Sequence, residues 1–131
     1  MKVTVDTNVL VRAVVRDDKR QAEAAAKLLR SADLLAVAVS SLCELVWVLR
    51  RVYGFSATEA AAAIRALIGA GNVAVDRPTV EAGLAMLDAG GDFADGVIAY
   101  EGRWLGAETF VSFDKKAVGT LSSAGVSARV L

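Results

Sequence analysis

Apolar and polar residues alternate from the start of the chain. Val3 and Val5 stand between Lys2, Thr4 and Asp6, the period-two pattern of a short strand. Asp6-Thr7-Asn8 is a helix-start cluster, and Val9, Leu10 and Ala13 follow at helical spacing. Asp17-Asp18 opens a second helix, in which Ala22, Ala25, Ala26 and Leu29 form one apolar face. Leu34 to Val39 is a candidate buried strand. Ser40-Ser41 opens a third helix, with Leu42, Leu45, Val46 and Leu49 as its stripe and Gly54 as its end. Ser56-Ala57-Thr58-Glu59 matches a capping box and begins an alanine-rich fourth helix that Gly69 and Gly71 close. Val73 to Asp76 reads as a third strand, and Pro78 suits the first turn of a helix running to about Ala89. After the break at Gly90-Gly91, the pattern predicts a helix from Asp92 to Gly106 and a strand from Thr109 to Phe113. A helix from Asp114 to Ser123 and a fifth strand from Ser127 to Val130 complete it.

Short strands separated by helices pair in parallel through right-handed crossovers. The expected fold class is therefore α/β, a single domain over residues 1–131. Its parallel sheet of four to five strands carries helices on both faces. Hydrophobic residues make up 55% of the 131, enough to bury a core without disulfides or a structural metal. The single cysteine, Cys43, lies among Leu42, Leu45 and Val46 and reads as a buried thiol. No signal peptide or stretch of membrane-spanning length is visible, so a cytoplasmic location is expected. The positive mean hydropathy points to a large core or to apolar surface that a partner covers.

Charge and residue types narrow the chemistry. Fifteen basic residues balance fifteen acidic ones, which counts mildly against a nucleic-acid binder. There is no histidine, which removes imidazole bases, Ser-His triads and histidine-ligated zinc.

The acids gain meaning from the strand pattern. Asp6 ends the first strand, Glu44 lies in the first turn of the helix after the second, and Asp114 follows the fourth. In a parallel sheet these positions share the carboxyl edge, where such folds bind ligands. Asp95 heads another helix and joins them if that helix starts at the same edge. Each acid also has a local alternative. Ser41-x-x-Glu44 is itself a capping box, and Asp6, Asp92 and Asp114 are candidate N-caps. Four carboxylates in one crevice would raise one another's pKa, a conflict that a divalent cation removes. Magnesium takes one or two direct carboxylates and keeps several waters. Such an ion acidifies a water and stabilises charge on a phosphoryl oxygen, so phosphodiester hydrolysis fits the residues present.

Four segments then resemble one family in order. They are Val5-Asp6-Thr7-Asn8-Val9-Leu10, Ser41-x-x-Glu44, Asp92-Phe93-Ala94-Asp95-Gly96-Val97-Ile98-Ala99 and Val111-Ser112-Phe113-Asp114-Lys115-Lys116. They look like the signature motifs of PIN-domain ribonucleases, most of all the VapC-type toxins of toxin–antitoxin pairs. The resemblance implies a catalytic quartet of Asp6, Glu44, Asp95 and Asp114, with Asp6, Asp95 and Asp114 holding magnesium or manganese. Asp6 and Asp95 would be the most direct ligands. Thr7, Asn8 and Ser112 would support the acids, and Asp92 is a candidate fifth acid. It further implies an endoribonuclease of RNA, a homodimer and a small cognate antitoxin, with no membrane partner. Gly96 stands where alanine is usual in the family, a departure expected to loosen that helix start.

Other residues are open to two readings. Trp47, Tyr53 and Phe55 suit either the core or a groove for an antitoxin segment. Arg12, Arg16, Lys19, Arg20, Lys115 and Lys116 suit either phosphate steering or a solvated face. A phospho-acceptor receiver would need an acidic pair after the first strand and an acceptor after the third. Asp6 is single, and Asp76 is followed by Arg77-Pro78. Gly69-Ala70-Gly71 precedes a strand and lacks a Walker lysine, so a phosphate-cradling loop fails too.

Overall fold

The structure is a computed structural model and describes residues 1–131. Five strands are separated by seven helices, singly or in pairs, and every strand pairing is parallel, so the α/β class holds. The chain forms two compact units, Met1–Asp76 and Arg77–Leu131.

The first unit contains β1 (Lys2–Thr4), α1 (Thr7–Val15), α2 (Lys19–Ser31), β2 (Leu34–Ala36), α3 (Val39–Arg51), α4 (Ala57–Ile68) and β3 (Val73–Ala74). Its sheet runs β1-β2-β3, with Val3 opposite Leu35 and Leu35 opposite Val73. Leu35 on the central strand is fully buried, as are Leu10, Leu42, Leu45, Leu49 and Ile64 from the helices. Each such side chain contributes roughly 1.5–3 kcal/mol through burial. Side chains cap two of the four helix starts here. The Asp18 carboxylate accepts the Gln21 N–H at 3.0 Å, and Ser56 and Glu59 form the expected reciprocal capping box. The Asn72 side-chain amide donates to the carbonyls of Leu29 and Ala32, satisfying acceptors left open where α2 ends.

One helix start differs from expectation. α3 begins at Val39 behind Ala38, with no side-chain cap. Ser41-x-x-Glu44 is therefore inside the helix and is not a capping box. Val39 satisfies a strand run and an apolar helix stripe equally well, and the chain leaves the sheet at Ala36.

Residues between α1 and α2 are held by a polar cluster. Arg16 adopts a left-handed conformation at φ 60° and ends α1. Arg12 donates to Asp17 at 2.6 Å and to Gln21 at 2.7 Å, while the Tyr53 hydroxyl donates to Asp17 at 2.9 Å. The Tyr53 hydroxyl and the Arg12 guanidinium hold the Asp17 carboxyl below its ordinary range. Arg12 is thus occupied within the fold and is not a loose phosphate-steering cation.

The second unit contains α5 (Arg77–Asp88), α6 (Phe93–Trp104), β4 (Phe110–Ser112), α7 (Lys115–Ser123) and β5 (Ala128–Val130). The last two strands pair with each other, Val111 opposite Arg129, so the five strands divide into a three-stranded and a two-stranded sheet. Met86, Ala99, Ala117 and Leu121 form a core that Phe110, Val126 and Ala128 cover. Helices α5 and α6 meet closely through glycine. A Cβ on Gly83 would lie 2.7 Å from the Phe93 ring, and one on Gly96 would lie 2.5 Å from the Ala82 carbonyl oxygen. Gly96 therefore does not loosen the helix start. It lets the two helices touch. Cys43, expected in the core, is only half-buried. No helix is long and apolar enough to cross a membrane.

Substituting Gly96 by alanine adds about 1 kcal/mol of helix propensity but drives a methyl group into fixed backbone, an overpacking cost of about 1–3 kcal/mol. The contact atom is a carbonyl of α5, which no rotamer change relieves. We expect Gly96→Ala to lower the urea midpoint of unfolding. An unchanged or higher midpoint would show that the helices separate freely.

Candidate active site

In the first unit, the carboxyl ends of the neighbouring parallel strands β1 and β2 bring the starts of α1 and α3 together. Asp6 occupies the N-cap position of α1, yet its side chain makes no capping hydrogen bond. Its exposed carboxylate is thus not consumed by the helix, and the capping alternative fails for this residue. Thr7, the next residue, is one of two buried polar side chains, and its hydroxyl donates to Glu44 Oε2 at 2.9 Å. The hydroxyl orients an otherwise exposed carboxylate across 37 positions of sequence. Asn8 is exposed and lines an open groove between α1 and α2 with Val9, Arg12, Gln21 and Leu28.

In the second unit, capping and clustering coexist. The Asp92 carboxylate caps α6 by accepting the Ala94 N–H at 3.1 Å. Asp114 caps α7, its Oδ1 accepting the N–H groups of Lys116 at 2.9 Å and Ala117 at 3.1 Å. The Asp114 N–H donates to Ser112 Oγ at 2.9 Å, which fixes the turn between β4 and α7. Asp95, third residue of α6, is half-buried and makes no such bond. Burial, then the nearby charges of Asp92 and Asp114, push its carboxyl above the ordinary range.

These acids sense one another without forming a ready-made cage. No three acidic or cysteine side chains cluster tightly enough to hold a metal between them. Coulombic repulsion reaches farther than the roughly 2.1 Å of a magnesium–oxygen bond, so the two facts agree. The donors are all carboxylate and hydroxyl oxygens, which fits a hard, partly hydrated cation and excludes a thiolate or imidazole site. The repulsion at Asp95 is the charge deficit such a cation would relieve.

The structure thus associates Thr7 with Glu44 in one unit, and Asp92, Asp95, Ser112 and Asp114 in the other. Gly96 is a contributor whose role the pattern misjudged, since it depends on the path of α5. Of the three aromatic residues open to two readings, Trp47 is 58% exposed. Tyr53 and Phe55 are half-buried, and Tyr53 belongs to the Arg12 cluster.

A family profile described as PIN domain matches residues 3–118, which include all four acids and reach from the first unit into the second. PIN domains are generally nucleases that use divalent metals. No curated protein matches the sequence significantly.

The raised carboxyl of Asp95 carries a stability consequence. An acid whose folded pKa lies above its unfolded value destabilises the fold once both states are ionised. The penalty fades as pH falls through the folded pKa and is gone below the unfolded value, about 3.9. In metal-free protein at neutral pH, Asp95→Asn should therefore unfold at an equal or higher temperature than wild type. A clear drop in the melting temperature would mean that the ionised carboxylate is held by favourable partners.

Proposed function

The chain belongs to the PIN domain family, and from that premise we propose that it is a magnesium- or manganese-dependent endoribonuclease, the toxin of a type II toxin–antitoxin pair. The observation that carries the nuclease reading is the PIN domain match over residues 3–118, a span that holds Asp6, Glu44, Asp95 and Asp114; the half-buried Asp95 carboxyl near the charges of Asp92 and Asp114 supports it, since a cation would relieve that repulsion. One profile runs through the first unit and into the second, over residues 3–118, which supports treating residues 1–131 as one domain.

In this reading Asp6, Glu44, Asp95 and Asp114 serve a single reaction, with Asp6, Asp95 and Asp114 holding the metal. When bound, the ion supplies positive charge to a phosphoryl oxygen and makes a water more acidic. Thr7 holds Glu44 in a fixed orientation through its hydroxyl. The first turn of α7 and Ser112 hold Asp114, and the first turn of α6 carries Asp95. With no histidine in the chain, proton transfer falls to these carboxylates and to water. The toxin role, the cognate antitoxin, the homodimer and the cytoplasmic location follow from the likeness of the four motifs to VapC-type toxins. The exposed Trp47 on α3 supports a protein partner.

RNA cleavage by the purified protein should require magnesium or manganese and stop on chelation. Asp6→Asn and Asp95→Asn should each abolish cutting with circular dichroism unchanged; full activity in both variants would sink the metal assignment. Removing the hydroxyl that holds Glu44, in Thr7→Val, should cost roughly 10–100-fold in activity or metal affinity. Expression of the active chain without a neighbouring antitoxin should arrest growth, and normal growth would count against the toxin role.

A further inference from the structure

Phe113 occupies an unusual place for a large apolar side chain. It lies between Ser112 and Asp114, in the turn that the Asp114 N–H bond to Ser112 Oγ fixes, and it is 78% exposed. Single exposed apolar residues are common on protein surfaces and mean little alone. Three further observations distinguish this one.

First, the backbone that carries the ring is rigid on both sides. β4 precedes it, and the Asp114 cap of α7 follows it. The ring is presented at little cost in ordering. Second, its chain neighbour is Asp114, whose Cα is about 3.8 Å away by covalent geometry. Third, cations lie close along the chain. Lys115 and Lys116 follow beyond Asp114, both exposed and neither in an ion pair. Along β4, Phe110 and Ser112 are half-buried while Val111 is exposed, and the exposed Phe113 follows in the bend after the strand. The register places Arg129 of β5 opposite Val111, on the same outward side.

Aromatics are common at protein contacts too, but lysine is depleted there, so the lysines after Asp114 weigh against that use of Phe113. The arrangement suits a nucleic-acid strand, whose bases stack on aromatic rings while phosphates meet lysine and arginine. We propose that Phe113 is a base-stacking platform for single-stranded RNA. It would position the nucleotide next to the one held at Asp114, with Lys115, Lys116 and Arg129 taking phosphates. A duplex would not satisfy it, because paired bases have no free face. This inference rests on the ribonuclease reading and specifies how that site holds its substrate.

The test compares wild type, Phe113→Ala and Phe113→Tyr on a labelled single-stranded oligoribonucleotide. Binding is read by anisotropy in excess EDTA, and cleavage with manganese. Stacking is worth about 1–3 kcal/mol per base, so Phe113→Ala should weaken binding and raise KM by roughly 5- to 150-fold. kcat should change little, and Phe113→Tyr should restore both values. The difference between wild type and Phe113→Ala should vanish on an oligonucleotide with abasic positions. Equal RNA binding and KM in wild type and Phe113→Ala overturns the proposal. So does a Phe113→Ala variant that binds RNA normally but shifts the oligomeric state, since the ring would then be a protein contact. Absence of any RNA binding by wild type also overturns it. Phe113-dependent binding in EDTA without cleavage under any metal would uphold stacking and defeat the nuclease reading. Cleavage that is indifferent to Phe113 would do the reverse.

Discussion

Like charges held near one another in a partly dry environment repel, and Asp92, Asp95 and Asp114 answer that constraint differently. Asp92 and Asp114 sit where helix dipoles and free N–H groups stabilise a negative charge. Glu44 receives a hydroxyl from the buried Thr7. Asp95 has no comparable partner and carries the penalty of burial and of its two acidic neighbours. The unbalanced residue is the informative one. A cation bound there would relieve that penalty.

The support behind Asp95 is steric. Its helix lies against α5 because two positions at the crossing lack a Cβ, and the fully buried Phe93 ring fills the space over Gly83. The backbone that bears the acid is thereby held by close packing, in which small displacements are costly. The same economy appears in the first unit. There the Arg12, Asp17 and Tyr53 cluster ties the end of α1 to the end of α3, the two helices whose starts carry Asp6 and Glu44.

What the amino-acid pattern revealed was what short-range physics decides. The alternation of strands and helices, the Ser56–Glu59 capping box and the caps at Asp18, Asp92 and Asp114 depend on groups two or three residues apart. They were legible for that reason. The start of α3 was not, since Val39 suits a strand and a helix alike and Ser41 offers an attractive but unused cap. The occupation of Arg12 was hidden because Tyr53 is 41 residues away. The role of Gly96 was misjudged because propensity describes one helix and the deciding atom belongs to another. The division of the strands into three and two likewise depends on pairings that no local pattern encodes.

The capping bonds have one more consequence, for ion size. Asp114 gives Oδ1 to both N–H groups of α7, Asp92 gives Oδ1 to α6, and Glu44 gives Oε2 to Thr7. Each of these carboxylates keeps one oxygen uncommitted. A side chain so divided offers a cation a single oxygen and resists chelating it with two. Calcium fills a large sphere of 6–8 oxygens and draws on two-oxygen carboxylates, whereas magnesium is content with single oxygens and water at octahedral corners. Of the three acids proposed to hold the metal, only Asp114 is so divided, and its helix cap would leave a cation a single oxygen there, while Asp6 and Asp95 keep both.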